Sequence, residues 1–280
     1  MRKFFIVMAA ALAAFTSCGK KTAEPQEEEV CVEGTKVKTL ADGTVVIWIK
    51  DNAGTRLMPR ALFGAPDSLY EALGIGEEGI PASVSTYLMK CDDDLILFDA
   101  GLGANAGGQL IPLLDSLGIA ASDIDYLYVT HFHGDHIGGM LDAEGNAVFA
   151  NAKVYVGQVE YDAWMSMPED RNAQVRATME AYKNQLNFFG FGETLPCNVV
   201  AINAVGHTPG HTVFQKGELL IIADLMHGAA LQMEHPEFNA NFDMDKEQAA
   251  ASRARILQYV KDNNLKMAGM HLPEPGFWEE

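Results

Sequence analysis

The most constraining feature of this 280-residue chain is the segment His-Phe-His-Gly-Asp-His at residues 131–136, which holds three imidazoles and a carboxylate. Imidazole nitrogens and carboxylate oxygens suit zinc and similar divalent ions at open, hydrolytic sites, whereas thiolates are typical of closed, structural sites. An exposed polar loop is the alternative interpretation, but three histidines at this spacing favour metal binding. The sequence therefore predicts a metal site at this segment.

Three later residues extend the predicted ligand set. His207 lies in a Gly-His-Thr-Pro-Gly-His segment, whereas Asp224 and His271 each directly follow an apolar run. Loops at strand ends can bring together residues that are far apart in sequence, so these three can join the segment 131–136 at one site. All eight histidines lie at or beyond position 131, as expected if most of them serve that site.

Short β-rich runs separated by turn residues predict a chain with many strands. The predicted strands are residues 45–49, 85–89, 95–98, 126–130, 154–156, 199–202, 212–214, 219–222 and 265–270. Helices are predicted at 109–117, 158–190 and 245–259. The predicted helix 158–190 carries an apolar stripe from Trp164 to Phe189, which is either core or, in part, an apolar wall over the substrate site.

The motifs and their order resemble those of the metallo-β-lactamase superfamily. They are the segments 97–101 (Leu-Phe-Asp-Ala-Gly), 130–136 and 206–211, followed by Asp224 and His271. The resemblance implies an α/β fold of the αββα sandwich type, in which two mixed β-sheets pack face to face, helices lie outside and the metal site lies at one edge. Residues 32–280 would then form one hydrolase domain of this fold.

The resemblance also implies how the ligands divide between two metal ions. The first ion would be bound by three histidines, which are His131, His133 and His207. The second ion would be bound by Asp135, His136 and His271, and Asp224 would bridge both ions. The implied cofactor is a pair of Zn²⁺ ions, with Fe, Mn or Co as alternatives.

Two further residues are predicted to support these ligands. Asp99 matches the family's acid at a strand end, although capping of a helix or turn is an equal alternative for it. His211 is interpreted as a supporting or structural histidine, because His207 already occupies the family's ligand position. His227 and His235 stay undecided: His227 could face the substrate, but an exposed or core histidine is the preferred interpretation.

The resemblance is strongest to the glyoxalase II-like and lactonase branch of the superfamily. The main zinc β-lactamases would carry Cys at position 224 or lack an acid there. The segments 148–155, 160–164 and 269–277 are similar to methyl parathion hydrolase and acyl-homoserine lactone lactonases, although Glu274 stands where that group usually has Phe. The implied enzyme is a dinuclear zinc hydrolase that cleaves a small ester, lactone or related substrate with a metal-bridging hydroxide. Asp135 is the catalytic candidate for proton transfer.

Two other functions are compatible with the same fold. One is an iron-dependent thiol or persulfide oxygenase, and the other is a non-catalytic surface binding module. Flavodiiron proteins carry Glu where this chain has His133, and persulfide dioxygenases usually have fewer ligands than the seven here. A full ligand set therefore favours hydrolysis, and it also argues against a module without catalysis.

Composition limits the partners of the chain. The formal net charge is −18, with 38 acidic and 20 basic residues, so a nucleic-acid backbone would be repelled. A small neutral or apolar molecule is the expected substrate. The sequence makes no prediction of the oligomeric state.

The first residues have the layout of a bacterial lipoprotein signal peptide, namely two basic residues, an apolar run and small residues before Cys18. Residues 1–17 would be removed, Cys18 would be lipidated and residues 18–31 would form a flexible tether. The alternative is a plain cleaved signal. The predicted location is the periplasm or the cell surface, with membrane attachment only through the lipid.

Three cysteines remain beyond the predicted lipidation site. They are Cys31, Cys91 and Cys197, and none belongs to a Cys-x-x-Cys pair. In an oxidising compartment at most one intramolecular disulfide can form among three cysteines. The sequence does not indicate which two would pair.

Overall fold

The computed structural model describes residues 32–279. The predicted signal peptide, the lipidation site Cys18, the tether and Cys31 lie outside these residues and stay predictions. Within residues 32–279, no helix combines the length and the apolar character needed to cross a bilayer.

The first sheet is mixed and contains seven strands. In their order across the sheet they are β1 (Thr35–Thr39), β2 (Val45–Lys50), β5 (Ser85–Cys91), β6 (Asp94–Phe98), β7 (Tyr126–Tyr128), β8 (Lys153–Gly157) and β9 (Leu186–Phe189). Neighbours from β1 to β6 are antiparallel, and neighbours from β6 to β9 are parallel. A separate antiparallel pair consists of β3 (Arg56–Met58) and β4 (Ile80–Ala82).

The second sheet is also mixed and contains six strands. In spatial order they are β10 (Thr194–Leu195), β11 (Val199–Asn203), β12 (Thr212–Lys216), β13 (Leu219–Ile221), β14 (Lys266–Ala268) and β15 (Phe277–Trp278). Only the pair β13–β14 is parallel. The α-helices are α1 (Asp67–Ala72), α2 (Leu110–Ser116), α3 (Gly134–Ile137), α4 (Gln158–Met165), α5 (Glu169–Ala181), α6 (Ala229–Gln232) and α7 (Lys246–Asp262).

Strand β6 shows how the sequence produces stacked layers. Successive side chains of a strand point to opposite faces, so Leu95 and Leu97 join the apolar cluster under α2, α4 and α5. Ile96 and Phe98 point the other way, into the layer between the two sheets. A strand buried on both faces reads as a continuous apolar run, which is how residues 95–98 read. On the far side of the second sheet, Ile256 of α7 joins a third cluster.

The predicted αββα sandwich is confirmed, because helices cover the outer faces of both mixed sheets. Helix α7 begins directly after Asp245, whose side chain accepts a hydrogen bond from the Gln248 backbone nitrogen. This is the acidic helix start that the sequence indicates.

The prediction of one helix over residues 158–190 was wrong. The segment contains two helices, α4 and α5, separated at Pro168, and it ends in strand β9. Proline disfavours a helical conformation at the residue before it, and it lacks the backbone N–H that helix α4 would need to continue. Residues 186–189 instead pair in parallel with β8, at the edge of the first sheet.

Candidate metal centre

The segment 131–136 lies at the edge where β7 ends. His131 and His133 belong to the extended chain after β7, whereas Asp135 and His136 lie on the short helix α3. The backbone nitrogen of His136 donates to the carbonyl oxygen of His133, which closes the turn between the two halves. The six residues thus provide two pairs of possible ligands, one from the extended chain and one from the short helix.

Three histidine nitrogens converge at the first position of the centre. Nδ1 of His133 lies 3.1 Å from Nε2 of His131 and 2.9 Å from Nε2 of His207. A tetrahedral zinc ion with Zn–N bonds of about 2.0–2.1 Å places its ligand nitrogens roughly 3.3 Å apart. The three nitrogens are therefore spaced closely enough to share one cation.

The second position is formed by Asp135, His136 and His271. Nε2 of His271 lies 3.5 Å from a carboxylate oxygen of Asp135, and Nε2 of His136 lies 3.7 Å from the other oxygen. The three side chains form one group whose possible ligand atoms all lie within 4.8 Å of one another. The structure thus brings together the same trio that the family resemblance implies.

Asp224 lies between the two positions. Its Oδ2 atom is 3.3 Å from Nε2 of His207 and 3.1 Å from Nε2 of His271. Its Oδ1 atom is 3.1 Å from Nε2 of His136. One carboxylate therefore contacts imidazoles from both trios, which is the arrangement that a bridging ligand requires.

The outer nitrogens of four imidazoles are held by polar partners. The pairs are His131 Nδ1 with Thr130 Oγ1 (2.9 Å), His136 Nδ1 with Asp99 Oδ2 (2.8 Å), His207 Nδ1 with Asp243 Oδ1 (2.8 Å) and His271 Nδ1 with the Ser83 carbonyl oxygen (2.8 Å). A proton on Nδ1 leaves the Nε2 lone pair directed into the cluster. Such partners fix the ring orientation and the tautomer of metal-binding histidines.

Unpartnered polar atoms also point to a cation. Nε2 of His136 and Oδ1 of Asp224 are buried and have no hydrogen-bond partner, although they lie 3.1 Å apart. Buried polar atoms without a partner are costly, and they are rare in native proteins. A divalent ion between them would satisfy both atoms, so the residues present fit a metal centre.

Three of the clustered donors are already in the protonation state that binds a cation. Burial lowers the pKa of His131 well below its usual value, and it lowers the pKa of His133 to about 3. Burial alone would raise the pKa of Asp224, but the surrounding imidazoles, His136 first, outweigh it and hold this pKa well below its usual value. His131 and His133 are therefore neutral and Asp224 is ionised, which are the forms that bind metal.

Glu160 forms hydrogen bonds with both ligand-bearing loops. This role was not predicted from the sequence. One carboxylate oxygen accepts from the Phe132 backbone nitrogen (3.0 Å) and from Trp164 Nε1 (2.6 Å). The other oxygen accepts from Thr208 Oγ1 (2.8 Å) and from the Gly210 backbone nitrogen (2.7 Å). Glu160 thus ties the loop that carries His131 to the loop that carries His207.

The four supporting or undecided residues have different surroundings. Asp99 accepts hydrogen bonds from Thr130 and contacts His136, as expected of a supporting acid. Both ring nitrogens of His211 face backbone atoms, namely the Ala204 oxygen and the Asp224 nitrogen. His227 is buried, whereas His235 is partly exposed.

His227 lies inside the centre rather than at a distant core or surface position. Its Nε2 atom is 3.0 Å from Oδ2 of Asp224, its ring stacks on His271, and its Nδ1 atom has no hydrogen-bond partner. The spacing of three residues after Asp224 was the only sequence signal for this placement. His235 is about one-third exposed and contacts Glu237 at 3.2 Å.

One side of the centre is open and bordered by aromatic rings. Among the seven clustered donors, only His133 and Asp135 are not fully buried. The ring of Phe242 is 39% exposed and packs 4.5 Å from the His227 ring, and the Trp164 ring lies 5.8 Å from the His133 ring. A molecule approaching the donors would therefore contact polar groups in the middle and apolar rings at the sides.

Comparison with protein families gives a match that covers most of the chain. The family model described as the metallo-beta-lactamase superfamily matches residues 79–271. Among curated proteins, N-acyl homoserine lactonase AiiA of Bacillus thuringiensis subsp. kurstaki is 27% identical over 203 residues, which is 62% of this chain and 75% of that protein. The N-acyl homoserine lactonase of Bacillus cereus is 25% identical over the same share of each chain.

Two solved structures share the fold over nearly the whole described chain. The structure of AidC, a dizinc quorum-quenching lactonase in complex with a product, has a TM-score of 0.79 and 26% sequence identity, and the match covers 87% of this chain and 92% of that chain. The structure of AbOPH, a hydrolase in the beta-lactamase superfamily, has a TM-score of 0.77 and 26% identity, with 89% and 94% covered.

Proposed function

Since the chain belongs to the metallo-β-lactamase superfamily, we propose that it is a dinuclear zinc hydrolase that opens lactones or cleaves small esters carrying an apolar substituent. It is a metal-dependent hydrolase of the lactonase type, and the proteins it resembles include the lactonase AiiA, the dizinc lactonase AidC and the hydrolase AbOPH. The pair of zinc ions and the substrate class are the parts that this proposal adds.

One observation carries the proposal. Seven donors from four separate loops converge, and four of their imidazoles are each held at the outer nitrogen so that the inner nitrogen faces the cluster. A cluster that served only packing would not need this common orientation. The donors are nitrogen and carboxylate oxygen without thiolate, which favours zinc at an open, hydrolytic site.

The proposed ligands form two trios joined by Asp224. The first trio is His131, His133 and His207, and the second is Asp135, His136 and His271. When bound, two zinc ions supply Lewis-acid chemistry, which polarises a carbonyl group and lowers the pKa of water toward neutrality. The protein contributes the fixed ring orientations, the buried negative charge of Asp224 and the exclusion of water on all sides but one.

Asp135 is the proposed proton carrier of the reaction. It is about one-quarter exposed, so it is the carboxylate of the cluster that borders the open side. Burial would raise its pKa, but His136 and His271 outweigh burial and lower it. Asp135 is therefore ionised at neutral pH and can accept a proton from water before passing it to the leaving alkoxide.

The surroundings of the open side favour a neutral substrate with an apolar part. Phe242 exposes its ring beside the donors, and Trp164 lies on the side of His133. The formal charge of −18 disfavours anionic substrates away from the metals. An acyl lactone combines a reactive carbonyl with an apolar chain, and lactones of this kind are named for the relatives AiiA and AidC.

The test is a substrate panel assayed with zinc-loaded protein, accompanied by elemental analysis. The panel contains acyl lactones with short and long chains, aryl esters, a phosphotriester and a cephalosporin. We expect two zinc ions per molecule and the highest kcat/KM with a lactone or an ester. Oxygen consumption with a thiol persulfide by iron-loaded protein would instead support an oxygenase. Ligand binding without turnover of any panel member would support a binding module.

Replacing Phe242 with alanine is expected to weaken binding of substrates in proportion to their apolar chain. Full burial of an aromatic side chain contributes about 1.5–3 kcal/mol, and a half-exposed ring that is covered by substrate contributes less. We therefore expect KM for a long-chain acyl lactone to rise about 5- to 20-fold, with a smaller rise for a short-chain lactone. The measurement is a comparison of KM across chain lengths, and Phe188→Ala is the control because Phe188 is similarly exposed and contacts Tyr161. Equal effects on all chain lengths would contradict the role.

Zinc binding is expected to release protons at neutral pH. Burial would lower the pKa of His207, but hydrogen bonds with Asp224 and Asp243 outweigh it and raise this pKa to about 9. In metal-free protein at pH 7, His207 therefore holds a proton that must leave before Nε2 can bind a cation. This release should decline as the pH rises through 9, where the group is already neutral.

The measurement is calorimetric titration with zinc in buffers of different ionisation enthalpy. We expect at least one proton released per protein molecule at pH 7. His235→Gln is the control, and its proton release should equal that of the wild type. Proton release that is zero at pH 7 would contradict the assigned state of His207.

We also propose that the protein is exported as a lipoprotein anchored through Cys18. The support is the order of basic residues, an apolar run and small residues before this cysteine. Metabolic labelling with a palmitate analogue should label the wild type, and it should not label the Cys18→Ala variant. Label retained by that variant would contradict the anchor.

A further inference from the structure

Cys91 and Cys197 are the cysteines among residues 32–279, and they lie against each other across the two sheets. Cys91 ends β5 of the first sheet and is buried, whereas Cys197 precedes β11 of the second sheet and is partly exposed. The Sγ atom of Cys197 is 3.9 Å from the backbone oxygen of Cys91. Both side chains border the apolar layer between the sheets.

We propose that Cys91 and Cys197 form an intramolecular disulfide that joins the two sheets. A carbonyl oxygen lies about 2.4 Å from the Cα atom of its own residue, so Sγ of Cys197 lies no more than about 6.3 Å from the Cα atom of Cys91. Sγ of Cys197 is therefore beside the backbone of Cys91, and formation of the bond would bring the two Cα atoms to the usual separation of about 4.4–6.8 Å.

The backbone conformation at Cys197 does not favour a cysteine. Cys197 and Asn198 adopt consecutive left-handed conformations, with φ of 62° and 57°. Glycine and asparagine adopt this conformation at lower cost than other residues do. Such strained residues persist where the surrounding structure imposes them. In this conformation the side chain of Cys197 contacts the backbone oxygen of Cys91.

The proposed bond lies at the edge of the sandwich opposite the metal centre. Strand β5 begins at Ser85, close to Ser83, whose carbonyl oxygen contacts His271 of the centre. Cys91 ends the same strand, about 20 Å away for a seven-residue strand. Removal of either thiol should therefore leave the metal donors in place, so the disulfide can be tested independently of the proposed hydrolysis.

The chemistry requires an external disulfide as the oxidant. Cys197, the more exposed thiol, loses its proton to solvent, and its thiolate attacks one sulfur of the oxidant and breaks the S–S bond there. This step gives a mixed disulfide between Cys197 and the attacked sulfur, and the other sulfur of the oxidant leaves as a thiol. The thiolate of Cys91 then attacks Sγ of Cys197 and expels the sulfur that was bonded to it. The two cysteines are oxidised, and the oxidant is reduced to two thiols. Burial raises the pKa of the Cys197 thiol to about 12, so the uncatalysed reaction is slow at neutral pH and an oxidoreductase would accelerate it.

The test uses the full chain, incubated under native conditions with oxidised glutathione and a thiol-disulfide oxidoreductase. Remaining thiols are alkylated, and the protein is digested without reductant for mass spectrometry. We expect a linked peptide pair that contains Cys91 and Cys197 and that disappears on reduction. Alkylation of both cysteines as free thiols would overturn the proposal, as would pairing of either one with Cys31.

Thermal unfolding provides a second readout. Oxidised wild type should unfold about 5–15 °C above the reduced wild type, because the bond closes a long loop of the unfolded chain. Cys91→Ala and Cys197→Ser should each lose the difference between the oxidised and reduced samples, whereas Cys31→Ser should keep it. If Cys91→Ala does not fold, the partly exposed Cys197→Ser variant still decides the question. An unchanged difference in Cys197→Ser would overturn the proposal.

Discussion

The Asp224→Asn variant is expected to bind at most one zinc ion and to lose about 1,000-fold or more in kcat/KM. Asparagine has nearly the same shape, so the variant removes the negative charge while it retains the packing. Oδ2 of Asp224 lies 3.1 Å from Nε2 of His271 and 3.3 Å from Nε2 of His207, so both trios contact this one carboxylate. Without it, Asp135 would be the one carboxylate left among the proposed ligands, and it belongs to the second trio alone.

The measurement is elemental analysis after gel filtration, together with steady-state kinetics on the best substrate of the panel. Asp115→Asn removes a charge from an exposed position of α2, and it should match the wild type in both. Two retained zinc ions with turnover within tenfold of the wild type would show that Asp224 is not the bridge. A thermal unfolding curve confirms that the variant is folded.

The donors of the candidate centre could be predicted from the sequence because each follows a recognisable strand or motif. His131 and His133 belong to a dense motif, and His207 lies in a second one. Asp224 and His271 each follow an apolar run at the end of a buried strand. Loops at one edge of a sandwich converge, so local sequence was enough to indicate which side chains meet.

The groups that contact these donors and hold them in place could not be predicted in the same way. The carbonyl oxygen that contacts His271 belongs to Ser83, 188 residues away, and a backbone atom has no sequence signature. Asp243 lies in a loop without a motif, yet its carboxylate contacts His207. His227 is separated from Asp224 by only three residues, but its inward orientation depends on the packing of Phe242 and His271 around it.

The same distinction applies to secondary structure, which depends partly on the local sequence pattern and partly on contacts with distant strands. Residues 85–89 and 95–98 were predicted as strands because they are short β-rich runs bounded by turn residues, and both lie in the first sheet. Residues 186–189 were predicted as helix because they continue an apolar stripe, but they pair with β8 in space. Pairing with a distant strand overrode the local pattern.

Replacement of Glu160 is the second large effect that we expect. Each of its oxygens accepts two hydrogen bonds. In Glu160→Gln one oxygen becomes an NH₂ group, which cannot accept and would face two donors. Each buried group left without a partner costs about 1–3 kcal/mol, so we expect the free energy of unfolding to fall by about 2–4 kcal/mol. Loosening of the two ligand loops should also weaken zinc binding about 10- to 100-fold.

The close contact between Gly210 and Glu160 leaves little room for the two loops to rearrange after the substitution. A Cβ atom at Gly210 would lie 2.3 Å from the Glu160 backbone nitrogen, so the loop that carries His207 packs directly on the start of α4. The measurements are chemical denaturation of the metal-free protein and zinc competition with a chelator. Glu180→Gln is the control because Glu180 lies on the exposed side of α5 and pairs with Lys183. If Glu160→Gln lowers stability but leaves zinc affinity unchanged, then Glu160 stabilises the fold without positioning the ligands.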